Sequence, residues 1–161
     1  YKVSNVEMHV IEPHSLPIPP HQDNFYHCTE FQKSLKVLIP LQKFNNNNGA
    51  LTYFDCEYDF PVLPHYASDV KNFSSFIKSS DAKNIPYKFK SYNFELGDAS
   101  YHYVNNVHFS NGNQTDERTI FIVFRIETLN SKVDKEALKL YLTCKEKHEK
   151  ILKKRINNSK L

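Results

Sequence analysis

Short runs rich in β-branched and aromatic residues recur between residues 2 and 126, each closed by a turn signal. This punctuation limits most of the chain to antiparallel strands. Lys2–Ile11 reads as the first strand, after which Pro13, Pro17, Pro19 and Pro20 impose an extended, non-helical approach to His21. Residues 34–41 (SLKVLIPL) form a short apolar strand that Pro40 pushes toward an edge or an end. The run 45–49 (NNNNG) suits the left-handed backbone of a tight hairpin, with 50–54 (ALTYF) as the return strand. Residues 64–86 are polar and show no clear period beyond a helical turn at 75–78. Residues 87–94 (YKFKSYNF) alternate polar and aromatic side chains, as a strand with one buried face does. Gly97-Asp98 marks a turn, and 101–109 and 119–126 (TIFIVFRI) are further strands. The expected class is mainly β, as an antiparallel sandwich or double-sheet barrel.

A chain of 161 residues holds one domain with a sizeable core and is short for two. The net charge of +3 is mild and much of it lies in the last 30 residues. No basic run is interleaved with a recognisable binding motif, which argues against a nucleic-acid partner. Cys28, Cys56 and Cys144 are odd in number and lack metal-type spacing, so free thiols in a cytoplasmic setting are expected. No apolar run reaches membrane-spanning length and no signal-peptide pattern is visible, so no membrane partner is expected. Asn72 and Asn113 open glycosylation-type triplets that need a secretory context to matter. The first residue is Tyr rather than Met, as expected of a fragment or a processed product.

The C-terminal segment changes character. Ser131 is a candidate cap for a helix starting near Lys132, with Asp134 and Glu136 in its first turn. Val133, Ala137, Leu140, Tyr141, Cys144, Ile151 and Leu152 fall on one side at helical spacing, with lysines opposite. A helix over 131–156, packed outside a barrel core of residues 1–128, is therefore expected within one unit spanning 1–161. A partner- or membrane-binding role for that helix is the alternative.

One short motif points to chemistry. His21-Gln22-Asp23 places an imidazole and a carboxylate on one side of an extended strand, where both could take adjacent positions on one metal. His108, from a distant strand, would complete a two-histidine, one-carboxylate triad whose open positions suit non-haem Fe(II) oxygen chemistry. His9, His14, His27, His65, His102 and His148 read as ordinary surface or core residues. Ser110 shares a strand face with His108. Arg118, ten residues beyond His108, can return along the next strand to the same cavity and grip a carboxylate at two points. A cupin-like metal protein would share the barrel and the histidines without needing Arg118 and Ser110. A non-catalytic β-sandwich binding module would need none of these residues together.

Several pieces in order carry a family resemblance: Pro19-Pro20-His21-Gln22-Asp23, then 35–41 followed by Asn48-Gly49-Ala50-Leu51, then Gly97-Asp98 with Tyr101-His102. The last piece is His108-x-Ser110-x-x-Asn113-x-Thr115 with Arg118. Over residues 8–126 the sequence resembles the phytanoyl-CoA dioxygenase family of Fe(II)- and 2-oxoglutarate-dependent oxygenases. That resemblance implies a double-stranded β-helix, a jelly-roll, cupin-like barrel, followed by the C-terminal helix. It implies Fe(II) held by His21, Asp23 and His108, and 2-oxoglutarate chelated to it with its far carboxylate on Arg118 and Ser110. The implied reaction is hydroxylation of a small organic substrate, releasing succinate and CO2. The carboxylate at Asp23 favours hydroxylation, because related halogenases need a small residue there. Two departures stand out. Residues 55–59 (DCEYD) replace the family's Pro-Gly-Ser-His segment, and the family's N-terminal helical region is largely absent. The alternative is a catalytically inactive or 2-oxoglutarate-independent cupin-like metal-binding protein.

Overall fold

In the computed structural model the described residues are 1–29, 34–55, 60–70, 73–83, 85 and 88–158. Cys56, Asn72 and the start of the 87–94 run lie outside them. In chain order the elements are β1 (Lys2–Ile11), β2 (Ile18–His21), α1 (Asp23–His27), β3 (Ser34–Pro40), β4 (Leu51–Phe54), β5 (Tyr66–Ala67) and β6 (Ser75–Phe76). They continue as α2 (Ser79–Lys83), β7 (Phe89–Ser91), β8 (Ser100–Tyr103), β9 (His108–Ser110), β10 (Thr119–Glu127) and α3 (Lys135–Asn158). Two four-stranded antiparallel sheets face each other, ordered β1-β10-β3-β8 and β2-β9-β4-β7, with β5-β6 as a small separate pair. The chain winds back and forth between the two large sheets, as a double-stranded β-helix does.

This winding accounts for two differences from the sequence expectations. The 45–49 run does turn, with the Ala50 amide donating to the Asn45 carbonyl at 2.9 Å, but β3 and β4 belong to different sheets and form no hairpin. Gly49 has φ +102°, and a Cβ there would meet Ile11 Cδ1 at 2.6 Å, so the crossing requires glycine. Likewise 101–109 is not one strand. Val104 and Val107 are fully buried in a turn that carries the chain from β8 in one sheet to β9 in the other. Residues 75–78, expected to be helical, begin with β6 instead, and the helical turn follows as α2.

The apolar core between the sheets comprises Leu38, Phe44, Ala50, Phe94, Phe121 and Val123, flanked by Ile11 and Leu51. A second cluster of Phe54, Ile77, Ala82, Ile85 and Val107 sits under α2.

The C-terminal helix starts at Lys135, and Asp134 caps it rather than Ser131. Asp134 Oδ1 accepts from the amides of Glu136 and Ala137, both at 3.0 Å, which satisfies two of the helix's orphan donors. The helix packs against α1 and the β5-β6 pair. Its buried stripe is Cys144 and His148, with Tyr141 edge-on to Phe25 and Tyr26. Val133 and Leu140, expected in that stripe, are 54% and 64% exposed. His148 takes its place in the stripe because Nδ1 donates to the Ser68 carbonyl at 2.7 Å. Among the described residues no helix is long and apolar enough to cross a membrane.

Candidate metal centre

His21 is the last residue of β2 and lies in register with His108, the first residue of β9. Asp23 does not share a strand with His21. The chain stays extended through Gln22 (φ −125°, ψ 130°) and then turns into α1, of which Asp23 is the first residue. The strand-to-helix change, rather than strand alternation, brings the two ligand candidates together. Gln22 fixes that change. Its buried Nε2 donates to the carbonyls of Pro61 (2.9 Å) and Asn105 (2.7 Å), and its Oε1 accepts from the Leu63 amide (2.7 Å). The Gln22 amide donates to His65 Nε2 at 3.1 Å.

The donor atoms of His21, Asp23 and His108 all lie within 4.8 Å of one another, and the residues are 8%, 5% and 3% exposed. His21 Nδ1 donates to the Pro19 carbonyl at 3.0 Å, and His108 Nδ1 to the Asn106 carbonyl at 2.9 Å. Each bond spans two residues of backbone and sets the tautomer, leaving the Nε2 lone pair for a ligand. Burial pushes the His21 pKa down, and burial with the repulsion of His21 pushes His108 well down. For Asp23, burial works upward, but His108, a hydrogen bond from His102 and the Lys36 ammonium outweigh it, and the carboxyl is held well below its usual range. Two neutral imidazoles and one carboxylate are therefore ready at neutral pH. Metal ligands need these protonation states, so the donor set fits a divalent first-row cation.

Sequence reasoning missed two further residues. His102 Nε2 donates to Asp23 Oδ2 at 3.1 Å, and Lys36 Nζ donates to Oδ1 at 3.0 Å. They are cross-strand partners in the β3-β8 register, so both reach the interior from one level of the sheet. Lys36 carried a signal: it is the one charge in an apolar strand, at an inward position that demands a counter-charge. His102 lies between Tyr101 and Tyr103, and the alternation of that short strand turns it inward. The Tyr53 ring stands beside both histidines, with centroids 5.0 Å from His102 and 5.8 Å from His108.

The structure does not bring Arg118 to this cluster. Its side chain is 59% exposed, and Nη2 donates to Glu12 at 3.2 Å. β10 begins one residue later with Thr119, which is fully buried on the inner face, and a one-residue offset puts a side chain on the opposite face. Alternation counted from His108 does not survive the intervening loop. Ser110 is buried on the same side as His108, as expected. Its hydroxyl donates to the Gly49 carbonyl at 2.9 Å and accepts from the Gly112 amide at 3.1 Å.

No protein-family model matches the sequence, and no curated protein matches it. Solved structures do. The non-heme alpha-ketoglutarate-dependent epimerase SnoN from nogalamycin biosynthesis is 18% identical with a TM-score of 0.62, covering 80% of this chain and 50% of its own. The non-heme monooxygenase ThoJ is 16% identical with a TM-score of 0.66, covering 97% of this chain and 68% of its own. EvdO2 from Micromonospora carbonacea var. aurantiaca is 22% identical with a TM-score of 0.58, covering 79% and 56%. SnoN has been solved with Fe3+, alpha ketoglutarate and nogalamycin RO, and EvdO2 with 2-oxoglutarate. The chain thus shares the fold of these three proteins and spans half to about two thirds of their length.

Proposed function

We propose that the chain is a non-haem Fe(II)- and 2-oxoglutarate-dependent oxygenase that hydroxylates a small organic substrate. His21, Asp23 and His108 hold the iron, and 2-oxoglutarate is the cosubstrate. The observation that carries this reading is the pair of imidazoles whose Nδ1 atoms are tied to backbone carbonyls while their Nε2 atoms converge on one ionised carboxylate. When bound, iron with 2-oxoglutarate supplies the oxidation of a substrate C–H bond, with release of succinate and CO2.

The chain's own residues supply geometry and shielding. The Pro19 and Asn106 carbonyls orient the two rings, and His102 with Lys36 holds both oxygens of Asp23. Phe73 stands edge-on to His21 with centroids 4.9 Å apart, and Tyr26 does so at 5.9 Å, which keeps water from one side of the cluster. Arg118 is outside this proposal, since it is paired with Glu12 at the surface.

Anaerobic titration of Fe(II) and then 2-oxoglutarate, followed by charge-transfer absorbance and by succinate release in air, tests the reading. The wild-type chain is expected to bind both and release succinate. Asp23→Ala is expected to weaken Fe(II) binding at least a hundredfold. Failure of the wild type to bind Fe(II) overturns the reading. The surface position of Arg118 and the engaged hydroxyl of Ser110 favour a second reading, a cupin-like metal protein that does not use 2-oxoglutarate. Metal binding without any 2-oxoglutarate binding would select it.

A further inference from the structure

The sheet β1-β10-β3-β8 has an inner face toward the barrel and an outer face away from it. Alternation along β10 separates the two: Thr119, Phe121 and Val123 are buried inside, and Ile120, Ile122 and Phe124 point the other way. An antiparallel sheet whose outer face meets water carries polar side chains there. This face carries apolar ones. Cross-strand register sets Val6, Phe124, Val37 and Tyr101 side by side in one row, and Met8, Ile122 and Ile39 in the next. The flanking rows, from Val3 to Leu35 and from Val10 to Ile120, hold no charged side chain either.

The described helices lie elsewhere. α3 packs on α1 and the β5-β6 pair, and α2 on the cluster of Phe54 and Val107. Val6, Met8 and Tyr101 are accordingly 55%, 70% and 72% exposed. Four strands about 4.8 Å apart and about 25 Å long present roughly 500 Å² of plane. That is near the upper limit of the largest apolar patch on an ordinary monomer. Two such faces together bury about 1,000 Å², the level a specific interface needs.

The same rows restrict the partner. Flat rows of aliphatic side chains offer no charge to pair, so the surface that matches them is a second flat apolar sheet, and every copy of this chain carries one. β1 is an edge strand, and its outward positions from Val3 to Val10 hold no charge that would keep copies apart. We infer that the chain forms a twofold dimer in which the outer faces of this sheet pack on each other, about 10 Å apart, as the sheets of a sandwich do. The inner face, with Lys36 and His102 on Asp23, then points away from the interface, and each copy keeps its own metal cluster. The dimer does not depend on the oxygenase reading.

Sedimentation velocity on the full chain over a range of concentrations tests this, with circular dichroism to confirm folding. The wild type is expected to be a dimer with a dissociation constant on the order of micromolar. Met8→Lys and Tyr101→Lys put an ammonium on the face at its two opposite edges, and each should weaken the dimer roughly a hundredfold or more. Both side chains are mostly exposed in the single chain, so the fold of the monomer should survive. Leu96→Lys, equally exposed but in the turn before β8, should leave the dimer unchanged. A wild type that stays monomeric at about 100 micromolar overturns the inference. So does open-ended assembly in place of a dimer, or a dimer that survives both face variants. Loss in Met8→Lys with no loss in Tyr101→Lys also overturns it, because that pattern belongs to edge pairing through β1 alone.

Discussion

Leu38 and Lys36 lie two residues apart on β3 and both point into the barrel. Leu38 is 2% exposed among Phe44, Phe94, Phe121 and Val123, whereas Lys36 reaches across to Asp23. The same division runs along β10, where Phe121 and Val123 face the apolar core and Arg125 pairs with Glu127 level with Lys36. One half of the interior thus obtains stability from close-packed rings. The other half holds imidazoles, carboxylates and cations whose burial is costly and is offset only by mutual pairing. The division separates what folds the chain from what it does, and the two halves should fail under different insults.

Phe44→Ala strikes the apolar half. Phe44 is fully buried and stacks on Phe121 with centroids 5.2 Å apart, so its loss should cost about 3–5 kcal/mol. Thermal melts should show a midpoint lower by roughly 10 °C, while Co(II) titration of the folded variant should match the wild type. A large loss of metal affinity would show that the two halves are not separable.

Acid strikes the polar half. Burial pushes His27 and His65 down to about 4 from an ordinary value of 6.5. Between these limits the unfolded chain binds protons that the folded chain refuses. Stability is therefore complete above pH 6.5 and falls with pH, by up to about 1.4 kcal/mol per unit for each histidine. Buried His21 and His108 act in the same direction. Urea unfolding of the metal-free protein should lose at least about 4 kcal/mol between pH 7.5 and pH 5, the share of His27 and His65 alone. A flat profile over that range would break the contrast.

Lys36→Met sharpens it. Removing the ammonium leaves Asp23 Oδ1 without its donor, at about 1.5–3 kcal/mol in the metal-free protein. A bound divalent cation supplies charge to the same carboxylate, so saturating Co(II) should recover part of that loss in unfolding experiments. No recovery would mean that the cation and Lys36 do not act on the same group.

How much of this could be read from residues alone follows the same division. Strand runs such as Lys2–Ile11 and Thr119–Glu127 were legible because their patterns repeat over many residues, and turns at Gly49 and Gly97-Asp98 because glycine marks them. Which sheet each strand joins was not legible at 45–54 and 101–109, since a turn between two strands looks the same whether they pair or part. For the candidate site, a short motif named His21 and Asp23, and a distant block named His108. Lys36 and His102 escaped because their roles come from cross-strand register, which no local spacing encodes. Arg118 shows the reverse error, a local count extended across a loop where strand parity resets.

Arg118→Ala is expected to have the smallest effect and to test that boundary. The guanidinium is more than half exposed and pairs with an equally exposed Glu12, and such pairs contribute at most about 1 kcal/mol. It also lies at the opposite end of β10 from Arg125, beyond the stretch where Phe121 and Val123 fill the interior. Stability should change by less than about 1 kcal/mol, and 2-oxoglutarate affinity of the Fe-loaded protein by less than about twofold. Charge-assisted hydrogen bonds to a carboxylate contribute about 1.5–3 kcal/mol, so an anchoring role would instead show as a ten- to hundredfold loss. That larger loss would mean that Arg118 leaves Glu12 and turns inward when the cosubstrate binds, with residues 111–118 shifting to carry it. Arg118→Lys separates the two cases further, because it keeps the surface charge but lacks the planar fork. Equal affinities for wild type, Lys and Ala variants would place the cosubstrate's far carboxylate elsewhere in the polar half of the barrel.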